Sequence, residues 1–170
     1  MMKIAGALLI VGAMCFVGAA KYSDCKKCCY ELKQMISILE LLEGEISTHR
    51  SPINIIIKRI NGSFDGAAQS FALQLADLMP KLGESDFCSM WKDAAINAFL
   101  SVPQDCLSEF VAVGASLGKY TVNIQCEAIG RCTEQLRRRY TELQPKLKEK
   151  RKLYLVLYGG AGLIMAIALI

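Results

Sequence analysis

The chain's best case for chemistry is a cluster of three cysteines. Cys25, Cys28 and Cys29 form Cys-x-x-Cys-Cys, a spacing that can ligate zinc or cycle between thiol and disulfide. A tetrahedral zinc site needs a fourth ligand, and no second Cys-x-x-Cys or Cys/His pair supplies one. Cys126 and Cys132 fall on different faces of a helix. On a helix Cys25 and Cys29 share a face, and Cys28 begins an apolar seam. Small apolar filler is the commoner use of such thiols. A thiol- or zinc-dependent membrane sensor built on Cys25, Cys28 and Cys29 is therefore the alternative reading. His49, the single histidine, stands in Thr48-His49-Arg50 with no acid–base partner at a recognisable spacing. There is no glycine-rich phosphate loop: Gly159-Gly160-Ala161-Gly162 lies in an apolar run, where small residues favour close helix packing. Trp91, the single tryptophan, is expected as a core anchor. No catalytic, cofactor-binding or metal-binding residue, and no small-molecule substrate, is expected.

The elements around these residues are framed by two uncharged segments, Ile4 to Ala20 and Leu153 to Ile170. Each is close to the shortest helix that crosses a bilayer, roughly 17–25 residues. We expect a first transmembrane helix over residues 1–21, a helical domain over 22–151 and a second transmembrane helix over 152–170. Positive charge near span ends marks the cytoplasmic side. Lys21, Lys26 and Lys27 follow the first segment; Lys146, Lys148, Lys150, Arg151 and Lys152 precede the second. Both place the domain in the cytoplasm. A cleaved signal peptide, with Val17-Gly18-Ala19 as its small-residue site, is the rival reading. It would leave the basic cluster on the wrong side of a stop-transfer segment. Of the eight cysteines Cys15 lies in the first segment, and the seven others are an odd, scattered set. Such a set fits a reducing compartment.

Charge is unevenly laid out. Residues 28–130 carry seven basic and twelve acidic side chains, while 131–152 carry nine basic and three acidic. The membrane-proximal ends are positive and the body between them is negative. Anionic lipid is the expected partner of the basic neck, worth about 1 kcal/mol per basic side chain near the surface. Nucleic acid is not expected: the neck has no interleaved aromatics beyond Tyr140.

The domain reads as helices throughout. Cys28, Leu32, Met35, Leu39, Leu42 and Ile46 recur at spacings of four and three, with Glu31, Glu40, Glu43 and Glu45 off that seam. Ser51-Pro52 predicts a helix start, with Ser51 as cap, and Asn61-Gly62 its end. Ala67 to Met79 predicts a helix stopped by Pro80. Ser85 is the expected cap of a helix with Phe87, Trp91, Ala94, Ala95 and Ala98 on one face. Ser101 and Pro103 predict another, with Leu107, Phe110, Val111, Gly114 and Leu117 inward. A last helix begins near Thr121 and runs toward the second apolar segment through Pro145, where a kink is expected. The fold class is all-α: an antiparallel bundle of about six helices flanked by two transmembrane helices.

Gly114-Ala-Ser-Leu-Gly-Lys-Tyr-Thr-Val-Asn-Ile-Gln125 resembles the segment G-x-x-L-G-x-x-D-x-x-x-Q of the stage III sporulation protein AB family. Leu41-Leu42-Glu43-Gly44-Glu45-Ile46 resembles the family's L-E-x-E-I helix, and Ser51-Pro52-Ile53 its small-Pro-Leu helix start. Trp91 and the glycine-containing aliphatic end, Lys152 to Ile170, fall in similar places. Thr121 departs from the family's usual Asp, and the Cys cluster is unusual for it. The resemblance implies a six-helix domain related to the cytoplasmic domains of type II secretion platform proteins. It implies no catalysis, and a place in the mother-cell assembly that builds a channel across the membranes around the forespore. It implies as partners the cytoplasmic secretion-type ATPase, stage III sporulation protein AA, and other stage III membrane proteins. Gly114, Leu117, Gly118, Thr121 and Gln125 then form a helix–turn–helix corner that is a candidate partner contact. Gly114 allows close helix approach and Gly118 can end a helix in a left-handed conformation. Arg137, Arg138, Arg139, Lys148, Lys150, Arg151 and Lys152 form the candidate membrane or partner contact of the neck. The three arginines point in three directions on a helix.

Overall fold

The computed structural model describes residues 2–83 and 85–169, with side chains described from 20 to 83 and 85 to 145 and at positions 13, 16, 17 and 160. It is all-helical, with no strand among the described residues. Helix α1 spans Met2–Gly44 and widens into a π-helical turn, Glu45–His49. Helices α2 (Ile53–Ser63), α3 (Gly66–Leu78), α4 (Phe87–Ala98) and α5 (Gln104–Ser116) follow, with a 3₁₀ turn Met79–Lys81 after α3. Helix α6, Val122–Leu169, continues through Pro145. Six α-helices are present among the described residues, with starts and stops close to those the periodicity predicts.

The described residues divide into two compact units, one of residues 28–140 and one of residues 2–27 with 141–169. Among the described residues no helix is long and apolar enough to cross a membrane. The expected spans, 1–21 and 152–170, and the basic cluster Lys146, Lys148, Lys150, Arg151 and Lys152 lie almost wholly outside the residues whose side chains are described.

In the larger unit α2 packs on α3, α3 on α4 and α4 on α5. The α1 seam is broader than a single stripe. Leu32, Met35, Leu39, Leu42 and Ile46 are buried as expected, but so are Ile36, Ile38 and the polar residues Glu31, Gln34 and Glu45. Glu31 and Glu45, expected off the seam, are 2% and 6% exposed. Each has found a donor: Glu31 Oε2 accepts the Ser101 N–H at 2.9 Å, and Glu45 Oε2 accepts the Ser51 hydroxyl at 2.7 Å. Gln34 Nε2 donates to Asp65 O at 2.7 Å while its Oε1 accepts the Ala68 N–H at 3.3 Å. Tyr30 OH donates to Asp65 Oδ1 at 2.6 Å.

The helix starts differ from expectation in two places. Pro52, not Ser51, is the cap residue of α2, because the Ser51 hydroxyl is directed to Glu45 instead. Asp86, not Ser85, precedes α4. Val111 is half-buried, not fully inward.

Trp91 is fully buried, as expected. Its Nε1–H donates to Phe110 O at 3.0 Å. Phe110 stacks on it with centroids 5.0 Å apart, and Phe71 meets it edge-on at 4.8 Å. Gly114 lets the indole lie directly on the α5 backbone. A Cβ there would sit 2.5 Å from Trp91 Cγ and Cδ1 and 2.9 Å from its Cβ. The ring cannot yield, since the hydrogen bond and two aromatic neighbours hold it. Gly114→Ala should therefore destabilise the chain by about 1–3 kcal/mol, the usual range for overpacking, despite alanine's better helix propensity. Urea unfolding measures this. In a Trp91→Ala background the same change should become neutral or stabilising, because only propensity is left. An equal penalty in both backgrounds would show that the indole is not the obstacle.

Candidate functional site

Three chain reversals in the larger unit converge on one groove, and each is forced locally. The first is the exit from α1. There the Arg50 N–H donates to Glu45 O, a π-type bond that opens the helix by one residue. The Ser51 N–H reaches the same carbonyl at 3.2 Å. Arg50 turns left-handed, with φ 49 and ψ 37. It is the one non-glycine residue with positive φ among those described. That conformation costs a residue with a Cβ about 1–2 kcal/mol. The Glu45 carboxylate fastens the turn by accepting from Ser51 and pairing with Arg59 of α2.

The second reversal joins α3 to α4. Gly83 has φ 113, and Phe87 follows at the start of α4 with its ring 6.1 Å from that of Trp91. The third is the α5–α6 corner. Leu117 closes α5 with its N–H on Val113 O at 3.3 Å and is 4% exposed. Gly118 takes φ 76, the left-handed conformation expected of it. The Gln125 side chain donates from Nε2 to Tyr120 O at 2.6 Å, while its backbone N–H bonds Thr121 O at 3.1 Å. Gln125 thus braces the corner from inside α6. Lys119 reaches back to Asp86 at 3.2 Å and ties the third reversal to the second.

Between them lies an open groove of about 590 Å³, within the range of sites that bury a ligand or a side-chain anchor. Ile46, Ile53, Ile56, Leu117 and Val122 contribute to its apolar lining. Leu82 stands at its mouth, 49% exposed. Arg50, Lys119 and Asp86 supply its charge. Among the described residues Arg50 has no side-chain ion pair, and the basic residues bordering the groove outnumber the described acidic one.

Of the expected corner residues, Leu117, Gly118 and Gln125 line this groove. Gly114 lies beneath Trp91, and Thr121 is exposed, contributing its carbonyl to the first turn of α6. Sequence reasoning missed the other two walls. Gly83 was available as a turn signal; the left-handed Arg50 carried none.

The neck arginines do not gather. Arg137 pairs with Glu40 of α1, Arg138 with Glu134 on its own helix at 3.1 Å, and Arg139 with Asp105 of α5 at 2.9 Å. They point three ways, as their spacing requires, but each meets a carboxylate of the bundle. Lys148, Lys150, Arg151 and Lys152 lie outside the described side chains. His49 is exposed at the end of the π turn, near a Glu45 carboxylate already engaged. Among the described residues no group of three His, Cys, Asp or Glu is placed to hold a metal. Cys25 and Cys28 are half-buried and Cys29 buried. Burial pushes the Cys106 thiol up to about 11 and the Cys132 thiol up to about 12, the inert end of thiol reactivity.

A family model described as stage III sporulation protein AB matches residues 3–170, and the chain belongs to that family. No curated protein and no solved structure matches it.

The hydrogen bond from Ser51 holds the Glu45 carboxyl below the ordinary glutamate value of 4.5, aided by the charges of Arg59 and His49 against an opposing effect of burial. The folded state therefore binds this proton less readily than the unfolded chain. The stability it contributes is full above pH 4.5 and is lost as pH falls through the lowered value. Glu45→Gln should be less stable than the parent at pH 7, with the gap closing as pH drops below that of an ordinary carboxylate. Thermal unfolding from pH 3 to 7 reads the difference. A gap constant over that range would mean that Glu45 carries no special charge interaction.

Proposed function

We propose that this member of the stage III sporulation protein AB family is a non-enzymatic membrane component of the sporulation machinery, and that it works by docking protein against the groove between its three reversals. The observation that carries this reading is the groove itself. Its lining is largely apolar and its border carries Arg50 and Lys119. Such a surface is suited to holding a partner's side chains.

In this reading residues 1–21 and 152–170 span the membrane around the forespore, and the domain between them faces the mother-cell cytoplasm. The juxtamembrane charges favour that orientation. The domain links the cytoplasmic ATPase of the machinery, stage III sporulation protein AA, to its membrane channel. Lys148, Lys150, Arg151 and Lys152 meet anionic headgroups, a role that suits them better than Arg137, Arg138 and Arg139 with their carboxylate partners. The thiol or zinc sensor is the weaker reading, since the sequence supplies no second Cys-x-x-Cys or Cys/His pair to complete a site with Cys25, Cys28 and Cys29.

Two measurements test the proposal in a sporulating host whose own copy is deleted. Leu82→Asp, at the mouth of the groove, should lower sporulation at least tenfold while the chain still accumulates, since loss of an interface anchor weakens binding by about 2 kcal/mol, roughly thirtyfold. Normal sporulation with Leu82→Asp would remove the groove from the function. For topology, Cys15, Cys25, Cys28, Cys88 and Cys126 are changed to Ser, and Ser63, exposed at the end of α2, is changed to Cys. An impermeant maleimide should label Ser63→Cys only after the cells are permeabilised. Equal labelling of intact cells would place the domain outside.

A further inference from the structure

The groove asks for an apolar anchor accompanied by negative charge, and the chain carries such a feature elsewhere on its own surface. On the α3–α4 shoulder, Asp77 and Asp93 border one shallow depression together with Ile96. Both aspartates are exposed. Ile96 is 40% exposed, and Leu100, in the turn just past the end of α4, is 74% exposed, the second most exposed large apolar side chain among those described. An exposed isoleucine set with two carboxylates, and an exposed leucine four residues on, are the chemical complement of an apolar groove edged by Arg50 and Lys119.

A second observation concerns Arg50. A left-handed position favours glycine, or failing that asparagine. Here it holds an arginine whose side chain has no ion pair among the described residues, although the same turn engages both Glu45 and Ser51. Strain retained at an exposed position points toward use of the side chain. What Arg50 lacks among the described residues is a carboxylate, which Asp77 or Asp93 of another copy would supply.

We propose that the groove of one copy receives the α3–α4 shoulder of a second, with Ile96 and Leu100 entering it and Asp77 and Asp93 meeting Arg50 and Lys119. This rests on the reading of the groove as a protein-docking site and names its occupant. The two faces are made of different residues, so the contact is heterologous: it propagates from copy to copy. Anchoring in one membrane would favour it further by confining the copies to a common plane. Lys119 already pairs with Asp86 at 3.2 Å, and both are about half exposed, so that pair can open to admit a second carboxylate at little loss.

The test uses the full chain in detergent micelles, sized by sedimentation. The parent should form assemblies larger than dimers as concentration rises. Arg50→Glu with Lys119→Glu spoils the groove, and Asp77→Arg with Asp93→Arg spoils the shoulder; each doubly changed chain alone should stay monomeric. Mixed in equal amounts they should assemble beyond dimers again, because each intact groove meets an intact shoulder and the reversed groove meets the reversed shoulder with charges once more complementary. Arg50→Gly guards against misfolding as the cause. It relieves the left-handed strain, so its thermal midpoint should match or exceed the parent's while its self-affinity falls about tenfold, as expected for a lost charge contact. A parent that stays monomeric, a mixture that stays monomeric as well, or an Arg50→Gly chain that assembles like the parent overturns the proposal. A photo-crosslinker at Leu82 in sporulating cells separates this failure from the broader one. Adducts only with a different protein would leave the docking reading standing and remove self-assembly, whereas no protein adduct at all would remove both.

Discussion

The larger unit depends on one helix that is buried almost all the way round. From Glu31 to Leu42 only Lys33 and Glu40 of α1 are exposed. A helix in that position has no water for polar side chains, so each polar group there must find a protein partner. The partners are the turns. Glu31 takes the N–H of Ser101 between α4 and α5, Gln34 holds Asp65 between α2 and α3 and Ala68 in the first turn of α3, and Glu45 holds Ser51 between α1 and α2. Three reversals far apart in sequence are thus fastened to one element. Short turns leave unpaired backbone groups at helix ends, and here the central helix satisfies some of them. The arrangement couples core to surface: removing one of these carboxyls or amides would leave a buried or half-buried donor unpaired, which is costlier than the net worth of the bond itself.

A second constraint acts through volume. Trp91, Phe71, Phe99 and Phe110 form one aromatic cluster, with Trp91 pinned by its bond to Phe110 O. Gly114 allows α5 to pass within contact of the indole, and three residues later Leu117 enters the groove. The spacing from Gly114 to Gln125 therefore serves two ends. Its first part sets how closely α5 lies on α4, and its second part sets where α6 begins. Gln125, bonding Tyr120 O, makes the corner rigid independently of the aromatic cluster.

Much of this was legible because it repeats. The apolar positions of α1, α4 and α5 follow a helical period, so six helices and most of their inward faces could be read from spacing. Gly114 and Gly118 were legible as well, being the residue type that a close approach and a left-handed turn require. What repeats nowhere was hidden. Glu31 and Glu45 look like solvent-facing acids because a period places residues on a face without saying what covers it. Ser51-Pro52 looks like a cap and its helix because the competing acceptor, Glu45, lies on the helix before. Arg50 is an arginine between a histidine and a serine, and nothing in that triplet signals a left-handed backbone. The Arg50 wall of the groove was therefore invisible, the second was signalled only by Gly83, and the third was marked by its glycines.

Charge teaches the same lesson at longer range. The run Arg137-Arg138-Arg139 stands out in a sequence as a block of positive potential. Folded, it is spread over Glu40, Glu134 and Asp105, on three different helices. Pairs this exposed contribute little to stability, about 0–1 kcal/mol each, but they lower the free positive charge of that stretch. Arg50 and Lys119 are only two cations, far apart in sequence and inconspicuous in composition. They stand beside an apolar recess, where water is partly displaced and a charge contact is screened less than on an open surface. In the docking proposed for this groove, the two cations set beside the recess count for more than the three that lie together in the chain.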